Sequence, residues 1–217
     1  MEKEEILQEG SWWKDKLWYA YGTSITSKGW GTYVPYLEKM SGLYCVNRGI
    51  PGGGIAKLGP ISVGQVFDAI FNEDENIKNA DLITLEVGAN DIDENTPLGS
   101  IFDHTKDTLC GCLNLCIQKL LKDTRAQIVI IPSVPMKYDP SENPKYYQAQ
   151  LLFRDIAFIN RVWFIEGNST LSYGRIQDNE DFTTDDIHQT RLGGYNLAVS
   201  IWSQLKRIPL FYAKLPE

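Results

Sequence analysis

The apolar positions of this chain fall into short runs and longer periodic stretches that alternate along its length. Lys16 to Tyr21 reads as a first strand ending at Gly22, and Gly31 to Met40 as a helix stopped by Ser41-Gly42, a helix C-terminal signal. Leu43 to Val46 predicts a second strand running into a glycine-rich loop from Gly49 to Gly54. A helix around Ile61 to Phe71 and an acidic turn follow. Asp81 to Val87 is the clearest strand, apolar enough to be buried on both faces. A long helical stretch from about Leu98 to Lys122 comes next, then Gln127 to Ile131 as a strand and a Pro-rich loop from Pro132 to Pro144. Tyr146 to Ile159 reads as a helix, Val162 to Ile165 fits either a fifth strand or the end of that helix, and Arg191 to Lys206 is a final helix. Strands alternating with helices, with few hairpin signals, predict an α/β fold whose central, mostly parallel five-stranded sheet is covered by helices on both faces. Such a sheet places its ligands beyond the carboxyl ends of the strands.

No repeat, low-complexity tract or linker divides the 217 residues, so the expectation is a single domain over 1–217 with residues 1–15 as an N-terminal arm. Hydrophobic residues at 43% and charged residues at 23% favour a folded globule over disorder. A net charge of −7 argues against nucleic acid or an anionic membrane surface as the main partner, since both need a basic face. No apolar run approaches the roughly 18 residues of a membrane-spanning helix. The acidic start, Met1 to Glu5, is not followed by an apolar signal core. The sequence as given therefore predicts a cytoplasmic protein, or a secreted one if a leader has been trimmed. Three of the four cysteines, Cys110, Cys112 and Cys116, crowd one predicted helix, with Cys45 elsewhere. Their spacing suits neither a disulfide ladder nor a CxxC metal site, and they read as buried thiols, with no metal or cofactor expected.

Chemistry concentrates in the segments that follow the strands. Gly22-Thr23-Ser24-Ile25-Thr26 stands after the first, Asn47-Arg48-Gly49-Ile50-Pro51-Gly52 after the second, and Gly88-Ala89-Asn90-Asp91 after the third. Asp185-Asp186-Ile187-His188 stands just before the last helix. In a parallel sheet all four converge on one edge. A serine hydroxyl becomes a nucleophile when a base takes its proton, and histidine titrates in the right range to do so. An aspartate three residues before His188 is close enough to fix its tautomer. Backbone N–H groups of Ser24 and Gly52, with the Asn90 amide, supply donors for the oxyanion of acyl transfer. Taken singly each segment also reads as a turn, a cap or a surface polar residue; their order and placement together carry the reading.

That order resembles the SGNH hydrolases, also called the GDSL esterase/lipase superfamily, from about Lys16 to Lys206. The resemblance implies a flavodoxin-like three-layer α/β/α fold and metal-independent ester hydrolysis. It implies Ser24 as nucleophile, His188 as general base and then acid, and Asp185 as its orienting partner. Gly52 and Asn90 complete the oxyanion site. One departure is Thr23, where the family usually has aspartate; its hydroxyl can bond loop backbone but offers no carboxylate, which bears on loop stability and on the local field.

Around these residues the sequence offers weaker signals. Trp30 follows the serine loop and is a candidate wall of the acyl or sugar pocket, whereas Trp18 reads as core and Trp12 and Trp13 as packing of the N-terminal arm. His104 reads as a surface helix residue. The acidic run Asp178, Glu180, Asp181, Asp185 and Asp186 lacks the spacing of a calcium loop. Asn168-Ser169-Thr170 matches a glycosylation acceptor by accident, and Val134 to Tyr146 reads as one wall of the cleft. The leading expectation is hydrolysis of a small acyl ester on a small molecule, with O-acetylated carbohydrate favoured. The alternatives are a thioesterase or lysophospholipase-type acyl hydrolase, and a catalytically weak carbohydrate-binding protein on the same fold.

Overall fold

Side-chain alternation along the strands decides how the molecule is layered. The computed structural model describes residues 10–27, 29, 31–58, 64–88, 90–93, 95–133, 144–166, 181–185 and 187–210. Strands β1 (Leu17–Gly22), β2 (Tyr44–Gly49), β3 (Leu82–Val87), β4 (Gln127–Pro132) and β5 (Trp163–Phe164) form one sheet in the order β2-β1-β3-β4-β5, with every pairing parallel. Helices α1 (Val34–Ser41), α2 (Gln65–Phe71), α3 (Leu109–Asp123), α4 (Pro144–Asn160) and α5 (Arg191–Leu205) complete the described fold. On one face Ile83, Leu85 and Val87 join Ile128 and Ile130 in packing against α2, α3 and α4 through Phe67, Leu113, Ile117 and Phe153. On the other face Leu82 joins Trp18, Ala20, Val129 and Ile131 against α1 and α5 through Leu37, Leu197, Ile201 and Leu205. The period of two in β1, β3 and β4 thus builds both cores of a three-layer α/β/α sandwich, each buried aliphatic side chain adding about 1.5–3 kcal/mol.

A polar side chain on these central strands has to bring its own partner. Thr84 does so by accepting the Trp18 indole N–H at 2.9 Å. Glu86, two residues further along the same face, does so at the carboxyl end of the sheet, where it meets the loop after β1. Strand order reverses between β1 and β3. The helix that follows β1 packs on one face and the helix that follows β3 on the other, so the two connecting loops part over that boundary. A crevice at this switch point is where open parallel sheets hold their ligands.

Several boundaries differ from the sequence reading. α3 starts at Leu109 and not near Leu98, because Thr108 caps it by accepting the Gly111 N–H at 3.1 Å. The preceding segment is a loop turned by Gly99 (φ 75°) and tied down by the Asn114 amide, which donates to the carbonyls of Ile101 and Asp103 at 2.8 and 2.9 Å. His104 therefore lies in an exposed loop and not in a helix. The acidic turn after α2 contains a 3-10 helix, Glu75–Asn79, and residues 163–164 are a short strand rather than the end of α4. At the N-terminal side, Trp13 is fully buried and donates its indole N–H to the Leu205 carbonyl, while Trp12 donates to that of Ile208, so this segment clasps the end of α5. Cys110, Cys112 and Cys116 are buried thiols of α3.

α1 begins at Val34 and not at Gly31 because Gly31 has φ 88°, a left-handed backbone that a helix cannot continue from. This glycine is wedged between the two halves of the site. A Cβ here would fall inside the carbonyl oxygen of Gln189, and a Cβ on Gly194 would fall inside the carbonyl of Gly31. Gly31→Ala combines a forbidden backbone angle with a steric overlap on backbone, so it should cost about 2–4 kcal/mol in urea unfolding. An unchanged unfolding midpoint would show that α1 and α5 need no such close approach.

Candidate active site

The site starts from the turn after β1. Residues Thr23 to Ser27 form one tight helical turn in which the amides of Thr26 and Ser27 both bond the Thr23 carbonyl, at 3.2 and 3.0 Å. The Thr23 hydroxyl accepts the Ile25 amide at 3.2 Å and donates to Glu86 Oε2 at 2.7 Å. The Thr23 amide donates to the same oxygen at 2.7 Å, and the Thr26 hydroxyl reaches it at 3.4 Å. Ser133, just past β4, donates its hydroxyl to Glu86 Oε1. Glu86 is only 2% exposed; burial pushes its carboxyl above the usual carboxylate range, against the pull of hydrogen bonds from Ser133, Thr23 and Thr26. Gly22 has no side chain because a Cβ would strike both Thr26 and Glu86. The carboxylate that position 23 lacks thus stands beneath it, at position 86.

The opposing element is a tight hairpin. Thr183 and Gln189 form an antiparallel bridge, the Thr184 amide bonds the His188 carbonyl at 2.8 Å, and the Thr190 amide bonds that of Phe182 at 2.8 Å. Within this hairpin Asp185 Oδ1 accepts the amides of His188 and Ile187 at 2.7 and 3.2 Å, while Oδ2 lies 2.7 Å from His188 Nδ1. Hydrogen bonds from the His188 ring, then from its amide, hold the Asp185 carboxyl below its ordinary range. His188 Nε2 lies 2.9 Å from Ser24 Oγ. The side chains of His188 and Asp185 are 48% and 52% exposed, so solvent screens their attraction and the pair's worth is positional rather than stabilising.

Beside Ser24, the glycine block and the Gly88–Asp91 block meet. Asn47 donates its amide to the Thr26 carbonyl at 2.7 Å and accepts the Gly49 amide at 2.9 Å, and the Ile50 amide bonds the Gly22 carbonyl at 2.9 Å. These bonds fix the loop that carries Gly52, which is half-buried with φ 71°. Asn90, also half-buried, donates one N–H of its carboxamide to the Gly53 carbonyl at 2.9 Å. Asp91 is fully buried below it and accepts the amides of Ala56 at 2.7 Å and Gly88 at 3.1 Å. One carboxylate therefore clamps both loops.

Ser24, His188 and Asp185 are brought into one hydrogen-bonded line, with Asn90 and Gly52 grouped through Gly53 on the adjoining loops. Trp30 lies outside the described residues, as do Asp178, Glu180, Asp186, Asn168-Ser169-Thr170 and 134–143. Trp18 is core, as its strand position implies. Sequence reasoning missed Glu86, and it placed Asp91 in the Gly88–Asp91 block without a role of its own, a turn cap being the alternative reading. For Glu86 the available signal was a lone acid inside a strand apolar enough to be buried on both faces. Among the described residues, no group of three or more His, Cys, Asp or Glu side chains is placed to hold a metal ion, and no helix is long and apolar enough to cross a membrane.

Burial pushes the Asp91 carboxyl up to about 6, against the pull of the Ala56 and Gly88 amides. An aspartate in the unfolded chain titrates near ~3.9. Between about pH 4 and pH 6 the folded protein thus holds a proton that the unfolded chain has released, and stability is lost as pH rises through that window. Asparagine at this position cannot titrate. The stability of the wild type relative to Asp91→Asn should be greatest near pH 4 and decline by roughly 2–3 kcal/mol by pH 7. Urea unfolding at both pH values checks this, and a difference that stays flat or grows with pH contradicts it.

The GDSL-like lipase/acylhydrolase family matches residues 18–194. Among solved structures, a protein from Lactobacillus plantarum superposes with a TM-score of 0.72 at 18% identity, covering 88% of this chain and 97% of its own. An acetylxylan esterase from Geobacillus stearothermophilus superposes with a TM-score of 0.65 at 15% identity, covering 93% of this chain and 98% of its own. No curated protein sequence matches. At these identities the superpositions speak for the fold alone, a three-layer α/β/α sandwich on a five-stranded parallel sheet. The family match, over most of the chain, speaks for the class: this chain belongs to the GDSL-like lipase/acylhydrolase family of ester hydrolases.

Proposed function

We propose that the chain hydrolyses small acyl esters through an acyl-enzyme on Ser24, with O-acetylated carbohydrate as the favoured substrate class. The observation that carries this reading is the continuous line from Ser24 Oγ to His188 Nε2 at 2.9 Å and from His188 Nδ1 to Asp185 Oδ2 at 2.7 Å. His188 takes the Ser24 proton as the hydroxyl attacks the ester carbonyl, and Asp185 holds the ring tautomer that allows it and stabilises the imidazolium. The tetrahedral oxyanion lies against the amides of Ser24 and Gly52 and the second N–H of the Asn90 carboxamide. Among the described residues only Gly53 engages that carboxamide, through its first N–H. His188 then returns the proton to the departing alcohol. Water, deprotonated by the same imidazole, releases the acid and restores Ser24.

The carbohydrate part rests on two supports. One is the fold likeness to a protein described as an acetylxylan esterase. The other is the aromatic residue Trp30 six positions after the nucleophile in sequence. The half-exposed dyad also suits a substrate that approaches across an open surface.

The test is hydrolysis of p-nitrophenyl acetate by the wild type and by Ser24→Ala, on preparations of matched thermal midpoint. Loss of the nucleophile should lower kcat by at least about 1,000-fold. Equal rates in both proteins would remove Ser24 from the mechanism.

A further inference from the structure

Between the N-terminal ends of α1 and α5 lies an open cavity of about 360 Å³, lined by Gly29, Gly31, Thr32, Pro35, Tyr36 and Arg191. Its position relative to the dyad is set by Gly31, which abuts the carbonyl of Gln189, the residue after His188. On its other side is the half-buried ring of Tyr36, which Tyr195 of α5 meets edge-on at 5.7 Å and 90°. Arg191, the first residue of α5, is exposed at the same opening. The walls thus come from both halves of the reacting site, the segment after Ser24 and the segment after His188.

We infer that this cavity is the subsite for the alcohol half of the ester, and that it takes a sugar ring on Tyr36 with hydroxyls turned toward Arg191. The inference rests on the ester-hydrolase reading above and deepens it. The side of the site decides which half of the ester belongs here. Two of the oxyanion donors proposed above, on Gly52 and Asn90, belong to the loops after β2 and β3, whereas the cavity borders Gly31, which abuts the carbonyl of the residue that follows His188. His188 gives its proton to the departing alcohol oxygen, so that alcohol has to lie on the histidine side.

The lining decides the chemistry of the alcohol. A long alkyl group needs enclosing apolar walls, and this cavity is open, with the Thr32 hydroxyl and a guanidinium set among its apolar surface. A pyranose presents a flat C–H face ringed by hydroxyls, which suits one aromatic ring beside a planar group with five N–H donors. The volume falls within the range of small-molecule sites. The edge-on contact with Tyr195 keeps the Tyr36 ring from turning, so a sugar meets a surface already oriented for it.

The experiment compares kcat/KM on acetylated xylo-oligosaccharides with kcat/KM on p-nitrophenyl acetate, whose alcohol half is not a sugar. The ratio of the two is followed in the wild type, Tyr36→Ala, Tyr36→Phe and Arg191→Gln, each checked for an unchanged thermal midpoint. The ratio should fall at least tenfold in Tyr36→Ala and in Arg191→Gln, chiefly through KM for the sugar ester, and should be retained in Tyr36→Phe, which keeps the ring. A ratio unchanged by Tyr36→Ala or by Arg191→Gln overturns the subsite, as does a wild type that turns over p-nitrophenyl acetate and no sugar ester. Ser24→Ala that still turns over p-nitrophenyl acetate overturns the underlying hydrolase reading instead, so the two failures are distinguishable.

Discussion

A carboxylate buried in the middle layer of a parallel sheet is the constraint on which the site depends. Glu86 sits on a strand whose six residues are all buried, and an ionised group there is tolerable only if protein donors replace water. The donors come from the turn after β1 and from the end of β4: the amide and hydroxyl of Thr23, the hydroxyl of Thr26 and that of Ser133. Satisfying Glu86 therefore dictates the path of the turn that bears Ser24. Thr23 looks like a defect by comparison with the family's usual aspartate. In this setting a hydroxyl that donates downward and accepts sideways serves the turn without setting a second carboxyl against Glu86.

The carboxylates of the site divide by environment. Glu86 and Asp91 are sealed from solvent, their acidities weakened by burial, and each is tied to backbone amides of the loops around the site. Asp185 is half exposed, and its acidity is strengthened by the His188 ring it faces. The same functional group thus serves as a fastener where water is absent and as a partner to an imidazole where water is present. The half-open dyad need not be strong in itself, because the elements that hold it are anchored elsewhere: Gly31 against Gln189, Thr190 capping α5, and the tryptophans of the N-terminal side against the end of that helix.

What the chain discloses by inspection follows from range. β1, β3 and β4 were legible because their apolar runs are local and buried on both faces. The four chemical blocks were legible because each is contiguous and each falls at a strand end or helix start. The start of α3 was not, since Leu98 and Ile101 continue an apolar pattern that looks helical while packing on the core from a loop. The positive φ of Gly99 and the cap at Thr108 override that pattern. Glu86 and Asp91 escaped because their partners are distant in sequence: Thr23 and Ser133 for one, Ala56 for the other. Tyr36 and Arg191 likewise share a cavity only after α1 and α5 are packed together.

The hairpin that holds Asp185 and His188 has one more consequence. Asp185 and His188 are joined by two hydrogen bonds, with a third from Ile187 to the same carboxylate, all inside four consecutive residues, so their mutual geometry is set locally. In kinematic terms the line of three side chains is a rigid link plus a single joint, and that joint is the 2.9 Å contact between His188 and Ser24. A fold that had to hold three separate side chains in register would carry two long-range tolerances; this one carries one. The geometry of this line therefore depends on how one hairpin is seated against one turn.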